Sequence, residues 1–295
     1  MKIKYARIAA AALASLLLLP ESRPRASAAA LEHAAACAAL PAAPGVAIQW
    51  SPVEIKCPLC GTTNTFLQWL SYGSYIYEDP SKYQLVFWPF TDSPVVYSCK
   101  QCRLTAFMGD FERTPKEKFA ELRKVLAGVE LPRRGGPANS PPGWEYTRIP
   151  MTARLLAAEK VYRVLGRTED DFWGHFYRVL GYHHDVESDP KAAAEARRRA
   201  LTIAERALAD PANEGRRKEL LYAAGAMRHF LGDDAGALRD FEAAAKLSYA
   251  DKDLKPEEAK NADNFFSALI AEYVEKIKKG EHPRARKAGA GHEHR

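Results

Sequence analysis

From Pro150 to about Lys279, apolar side chains recur every three or four residues, the spacing that lays them along one face of a helix. Six segments read as helices: 153–165, 169–182, 191–209, 216–231, 235–247 and 256–278. In the first, Leu155, Leu156, Ala158, Val161, Tyr162 and Leu165 fall mostly on one side. The breaks at Gly166, Ser188-Asp189-Pro190, Asp210-Pro211 and Gly232-Asp233 are short, which favours antiparallel helical neighbours.

Upstream the pattern changes. Val46 to Trp50 and Val53 to Lys56 are short strand-like runs, and 62–70 and 83–90 are rich in β-branched and aromatic residues that suit a pleated, half-buried surface. Pro94 to Ser98 and Leu104 to Met108 complete the strand-like runs. Thr114-Pro115 predicts a helix start, Thr as N-cap and Pro at the first position, with Phe119, Leu122, Val125 and Leu126 following at helical spacing. Pro132 to Gly143 is more than half Pro and Gly and reads as a linker.

The strand-like runs carry the chemistry. Cys57-Pro-Leu-Cys60-Gly61 and Cys99-Lys-Gln-Cys102-Arg103 place two C-x-x-C pairs at the ends of strands, 38 residues apart. Four thiolates are the full tetrahedral set for a structural zinc ion, with no position left for substrate. Strand, knuckle, strand, repeated, is a zinc-ribbon plan. Cys37 is the odd cysteine, in an Ala-rich stretch outside both knuckles. Disulfides between the four cysteines, or a redox pair within one C-x-x-C, are the alternatives. The aromatics between the knuckles (Trp69, Tyr72, Tyr75, Tyr77, Tyr83, Phe87, Trp88, Phe90) read as a small core ahead of a recognition surface.

One helical pair fits a known repeat. In 221–247, Gly225 stands where helix A needs a small residue against helix B, Gly232-Asp233 makes the turn, and Ala237, Phe241 and Ala244 fall at tetratricopeptide spacing. Arg228 stands where that pattern has Tyr. On this reading Tyr222 and His229, on helix A, are candidates for partner contact or for ordinary packing. The segments C-P-L-C-G, V-V-Y-S-C-K-Q-C-R-L-T-A-F and L-L-Y-A-A-G-A-M-R-H-F-L-G-D together resemble the bacterial family known as domain of unknown function 2225, over roughly 54–279. The resemblance implies a cysteine zinc-ribbon-like segment followed by tetratricopeptide-like helices, with Cys57, Cys60, Cys99 and Cys102 as metal ligands. Arg103 departs from it, since a ribbon often has glycine there.

The chain ends add a destination. Lys2, Lys4 and Arg7 precede a 12-residue apolar run, Ile8 to Leu19, and Ala26-Ser27-Ala28 offers a small-residue cleavage pattern, so 1–28 reads as a secretory signal. Twelve residues are too few for a helix that spans a bilayer, which needs about 20. The formal charge of +6 is concentrated at the ends: 1–28 and 278–295 each carry a net +4, leaving the interior near −2. That distribution speaks against a nucleic-acid surface.

The expected organisation is therefore α+β: signal 1–28, flexible lead 29–45, β-rich zinc-ribbon-like domain 46–131, linker 132–149, all-α tetratricopeptide-like domain 150–279 and disordered tail 280–295. The expected function is an exported, periplasmic or secreted zinc-binding scaffold that binds a protein or peptide partner through its helices, without nucleic acid and without a membrane span after cleavage. The alternative is a thiol-redox or metal-dependent enzyme. His175, His183, His184, Asp185 and Glu187 lie close in sequence, but no H-E-x-x-H, phosphate loop or G-x-S-x-G accompanies them, and they read as ordinary core or surface residues. His292-Glu293-His294 reads as a solvated end.

Overall fold

A computed structural model describes residues 49–71, 79–135 and 142–282. The expected signal, the lead with Cys37, Tyr72, Tyr75, Tyr77, part of the linker and the tail beyond His282 lie outside the described residues. The described chain is α+β, two β-hairpins followed by helices.

Strand β1 (Gln49–Lys56) pairs antiparallel with β2 (Thr63–Ser71), from Lys56 opposite Thr63 to Gln49 opposite Ser71. The second hairpin joins β3 (Val96–Ser98) to β4 (Thr105–Phe107), and all six of its strand residues are buried. Two-stranded hairpins are marginal alone, so each is held by neighbours. Phe66 of β2 stacks on Tyr97 of β3 at 4.2 Å and meets Phe111 and Tyr146 edge-on. Ser98 and Thr105 share a hydroxyl hydrogen bond of 2.9 Å across the second hairpin.

The run 83–90, expected as a strand, is not one. It follows a short helix, α1 (Asp79–Tyr83), as a series of turns. Its apolar residues are buried at consecutive positions, Leu85, Val86, Phe87 and Trp88, so it has no exposed side of the kind a half-buried strand would show. Leu85 also adopts a φ of 55°, which ends an extended chain. Thr114 likewise is no N-cap: its hydroxyl donates to the Phe111 carbonyl at 2.9 Å, just past the short helix α2 (Met108–Phe111). A tight turn at 116–118 precedes α3 (Phe119–Leu126).

Six longer helices follow: α4 (Met151–Val164), α5 (Asp170–Val186), α6 (Pro190–Ala209), α7 (Arg217–Phe230), α8 (Asp234–Ala245) and α9 (Pro256–Lys278). They match the six periodic segments. Helix α5 packs along α6, α6 along α7, and α7 along α8, while α9 lies against α7 and α8. At the α7–α8 crossing the reason for Gly225 is direct, since a Cβ there would meet the Phe241 ring at 2.9 Å. Phe241 and Ala237 are fully buried. Gly232 turns the chain at φ 84°, and the Asp233 carboxylate caps α8 by accepting from Gly236 N at 2.9 Å. Arg228, in place of the pattern's Tyr, pairs with Asp240 at 2.9 Å and Glu205 at 2.6 Å, tying α8 to α6.

Helix α4 joins the hairpins to the helices. It packs on β3 and β4, and its Tyr162 hydroxyl accepts from Phe107 N and donates to Asp110, each at 2.9 Å. Arg154, fully buried, donates to the carbonyls of Ile149, Ser93 and Val96. Within the expected linker, Tyr146 is buried; its hydroxyl accepts from Leu67 N and donates to Pro94 O. One buried cluster therefore runs from the hairpins through α4 into the later helices. No helix among the described residues is long and apolar enough to cross a membrane.

Candidate metal centre

The two knuckles sit at the tips of the two hairpins and are built alike. Cys57 N–H donates to the Thr62 carbonyl at 2.9 Å and the Cys57 carbonyl accepts from Gly61 N at 2.9 Å. Cys99 N–H donates to the Leu104 carbonyl at 2.8 Å and the Cys99 carbonyl accepts from Arg103 N at 3.1 Å. The same two hydrogen bonds at the same offsets close both turns. Both turns also need a left-handed residue after the second cysteine: Gly61 has φ 76° and Arg103 has φ 63°. Arginine thus takes the conformation that glycine takes without steric cost.

The hairpins bring the four sulfurs together. The closest pairs cross between knuckles, Cys57 Sγ to Cys102 Sγ at 3.5 Å and Cys60 Sγ to Cys99 Sγ at 3.6 Å. All four lie within 4.8 Å of one another, and all four are free thiols. A tetrahedron with metal–sulfur bonds of about 2.3 Å has sulfur–sulfur edges of about 3.8 Å, so these separations fit a metal at the centre. They are far longer than a sulfur–sulfur bond of about 2.0 Å. Cys57 and Cys99 are buried, Cys102 is half-buried and Cys60 is exposed, so the cluster has one solvent-facing edge.

Protons are shared unevenly among the four thiols. Hydrogen bonds from Cys102 and then Cys57 hold the Cys99 thiol far below the usual range, helped by the N–H groups of Cys102 and Gln101. Cys102 is pushed up by its hydrogen bonds to Cys57 and Cys99. Cys57 is pushed up to about 12, its hydrogen bond with Cys102 being outweighed by the one to Cys99 and by burial. A metal that takes all four as thiolates must therefore release protons as it binds.

Residues outside the cysteines hold the two knuckles in place. Asn64, buried at the start of β2, donates from Nδ2 to the Thr62 carbonyl at 3.0 Å and to Cys99 Sγ at 3.6 Å, while its Oδ1 accepts from Lys100 N at 2.9 Å. One side chain from the first hairpin thus grips the second knuckle. Arg123 of α3 donates to the Leu59 carbonyl at 3.1 Å, inside the first knuckle. Neither role was visible in the sequence; the only signal at Asn64 is an asparagine where strands disfavour it.

The other candidate residues have structural partners. His183 Nε2 meets the Phe90 carbonyl at 2.8 Å, Asp185 pairs with Arg197, and Glu187 accepts from Met151 N at 2.8 Å and the Thr152 hydroxyl at 2.6 Å. Glu187 thereby supplies a carboxylate to the N-terminus of α4, where donors are unpaired and negative charge is favoured. His175 is buried against Phe90, ring centroids 4.6 Å apart. Tyr222 and His229 are also buried, and the contact-surface reading of them does not stand. The chain itself covers them: the Tyr222 hydroxyl donates to the Tyr83 carbonyl at 3.1 Å, and the Tyr83 ring packs against Tyr222, His229, Phe241 and Tyr273. Lys82 pairs with Glu272 of α9 at 2.8 Å, and Gln84 accepts from Arg197 of α6 at 3.0 Å. The insert between the knuckles is anchored on the helices.

Compared with known proteins, the chain matches no family model, no curated protein sequence and no solved structure.

Proposed function

We propose that the chain is an exported zinc-binding scaffold, in which a zinc ribbon held by Cys57, Cys60, Cys99 and Cys102 is packed against a tetratricopeptide-like helical array. The observation that carries this reading is the four-sulfur cluster held by two congruent knuckles at the hairpin tips. Four protein thiolates saturate zinc, so the ion is structural: it locks together a pair of two-stranded hairpins, each marginal alone. The helical hairpins α5–α6 and α7–α8 support the array reading, as do Gly225, Ala237 and Phe241 at their crossing. Because the Tyr222–His229 face is covered by Tyr83, a protein or peptide partner would engage the outer helix faces. Residues 1–28 carry the export reading from sequence alone, and the motif resemblance to domain of unknown function 2225 belongs to the same proposal.

The thiol-redox alternative has less support. A reactive C-x-x-C typically sits at a helix N-terminus, where the thiolate is stabilised, and both pairs here sit at hairpin tips. One experiment tests the zinc, disulfide and export parts together: native and denaturing intact mass of the chain purified from the exported fraction. The expected result is an N-terminus near Ala29, one tightly held zinc and four knuckle thiols that alkylate only after chelation. A mass four hydrogens lighter with no zinc would replace the ribbon with two disulfides, and an intact N-terminus recovered in the cytoplasm would overturn export.

A further inference from the structure

A second cluster of metal-ligating side chains shares no residue with the cysteine set. His229 ends α7, Asp234 opens α8, and His282 follows α9; one ligand atom from each lies within 4.8 Å of the others. The placement of His282 is built. Gly280, at φ 70°, reverses the chain at the end of α9, and Gly280 N and Glu281 N donate to the carbonyls of Ile277 and Lys276, each at 2.9 Å. This turn folds residues 281–282 back over α7, and the His282 ring lies 5.3 Å from the His229 ring.

His229 supplies an independent reason to expect a cation. Its side chain is 3% exposed, and both ring nitrogens face oxygen: Nδ1 is 2.6 Å from Asp234 Oδ1, and Nε2 is 3.2 Å from the Glu281 carbonyl. A neutral imidazole has one N–H and can donate only once. With that N–H on Nε2 toward the Glu281 carbonyl, the Nδ1 lone pair faces the Asp234 carboxylate, a nitrogen–oxygen pair that suits a cation. Two imidazoles and a carboxylate are a donor set for zinc, nickel or copper in the divalent state, with the remaining positions open to water.

We propose that His229, Asp234 and His282 bind a divalent transition-metal ion of this nitrogen- and oxygen-preferring class, separate from the thiolate centre. The two histidine rings lie nearly parallel, 18° apart, so ligation turns the exposed His282 ring edge-on and opens the 2.6 Å contact between His229 Nδ1 and Asp234 Oδ1 toward the roughly 3.3 Å that two ligands of a tetrahedral ion require. The ion would join the ends of α7, α8 and α9, closing the helical array at its C-terminal end. Unlike the four-thiolate centre it is incompletely coordinated by protein groups, so it exchanges readily with free metal.

The test titrates Co²⁺ and Zn²⁺ into the full chain already holding one zinc, by calorimetry and absorption. A second equivalent is expected, without the intense sulfur-to-cobalt charge-transfer band that thiolate binding gives. His282→Ala, an exposed position, should weaken it by about tenfold or more while leaving the first zinc in place. Asp234→Asn, which keeps the side-chain shape, should weaken it similarly, and His292→Ala/His294→Ala should leave it unchanged. The proposal fails if no second equivalent binds, if His282→Ala binds as the parent does, or if the tail variant alone abolishes binding.

Discussion

Replacing Asn64 with alanine should uncouple the two knuckles without touching a ligand. Asn64 makes three contacts, to Thr62 O, Lys100 N and Cys99 Sγ, and two of them reach the second knuckle. Each is worth roughly 1 kcal/mol net. The two that reach the second knuckle form only when the hairpins are docked, so their energy counts toward holding the metal-bound arrangement. Their sum, roughly 2 kcal/mol, corresponds to a loss of metal affinity of about 30-fold, within the roughly 10- to 100-fold range seen when an outer-shell partner of a metal ligand is removed. Competition against a chromophoric chelator measures it directly, with folding of the metal-loaded variant checked by circular dichroism. Asn64→Asp should lose at least as much: it keeps the acceptor for Lys100 N but sets a negative charge against the Cys99 thiolate. An affinity for Asn64→Ala within threefold of the parent would refute the bridging role.

Three further outcomes follow. Gly61→Ala should cost about 1 kcal/mol and Arg103→Gly should gain about 1 kcal/mol, because both positions are left-handed and only φ distinguishes the residues there; denaturant midpoints of the zinc-loaded variants measure both, and equal midpoints would sink the argument. Arg154→Met should lose about 3 kcal/mol by stranding the carbonyls of Ile149, Ser93 and Val96, partly offset by removing a buried charge; a loss under about 1 kcal/mol in urea unfolding would contradict it. Burial, with the Arg178 charge, lowers His175 to about 3, and burial lowers His183 to about 4. Both stay neutral in the fold but protonate near pH 6.5 when unfolded, so their stabilisation is complete above about 6.5 and is lost as pH falls toward 4, at about 1.4 kcal/mol per unit each. His175→Phe should remove half of that slope between pH 6.5 and 5 at saturating zinc, and an unchanged slope would count against it.

The spacing of residues along the chain determined much of this protein. Six helices lie where the three-to-four periodicity puts them, because a stripe of apolar residues can be buried only by a helix of that pitch. The knuckles were legible for the same local reason: C-x-x-C and the residue after it lie within a single turn, so their geometry depends on almost nothing else. Gly225 and Phe241 were legible because a helical hairpin repeats its crossing at a fixed offset.

Tertiary packing decided the rest. The run 83–90 has the composition of a strand, yet burial on all sides made it a plug, with Tyr83 seated on Tyr222 across a separation of 139 residues. That same contact removed Tyr222 and His229 from the surface. Asn64 looks like any polar residue in a strand until the second hairpin brings Cys99 and Lys100 to it. Arg154 lies on the buried face of α4 among apolar residues, and only the carbonyls of Ser93 and Val96 explain a guanidinium there. His229 and His282 belong to segments that nothing in the sequence links. Local patterns specify turns and faces, because those interactions span a few residues; which faces meet depends on the whole core, and that is where the partners of these side chains were chosen.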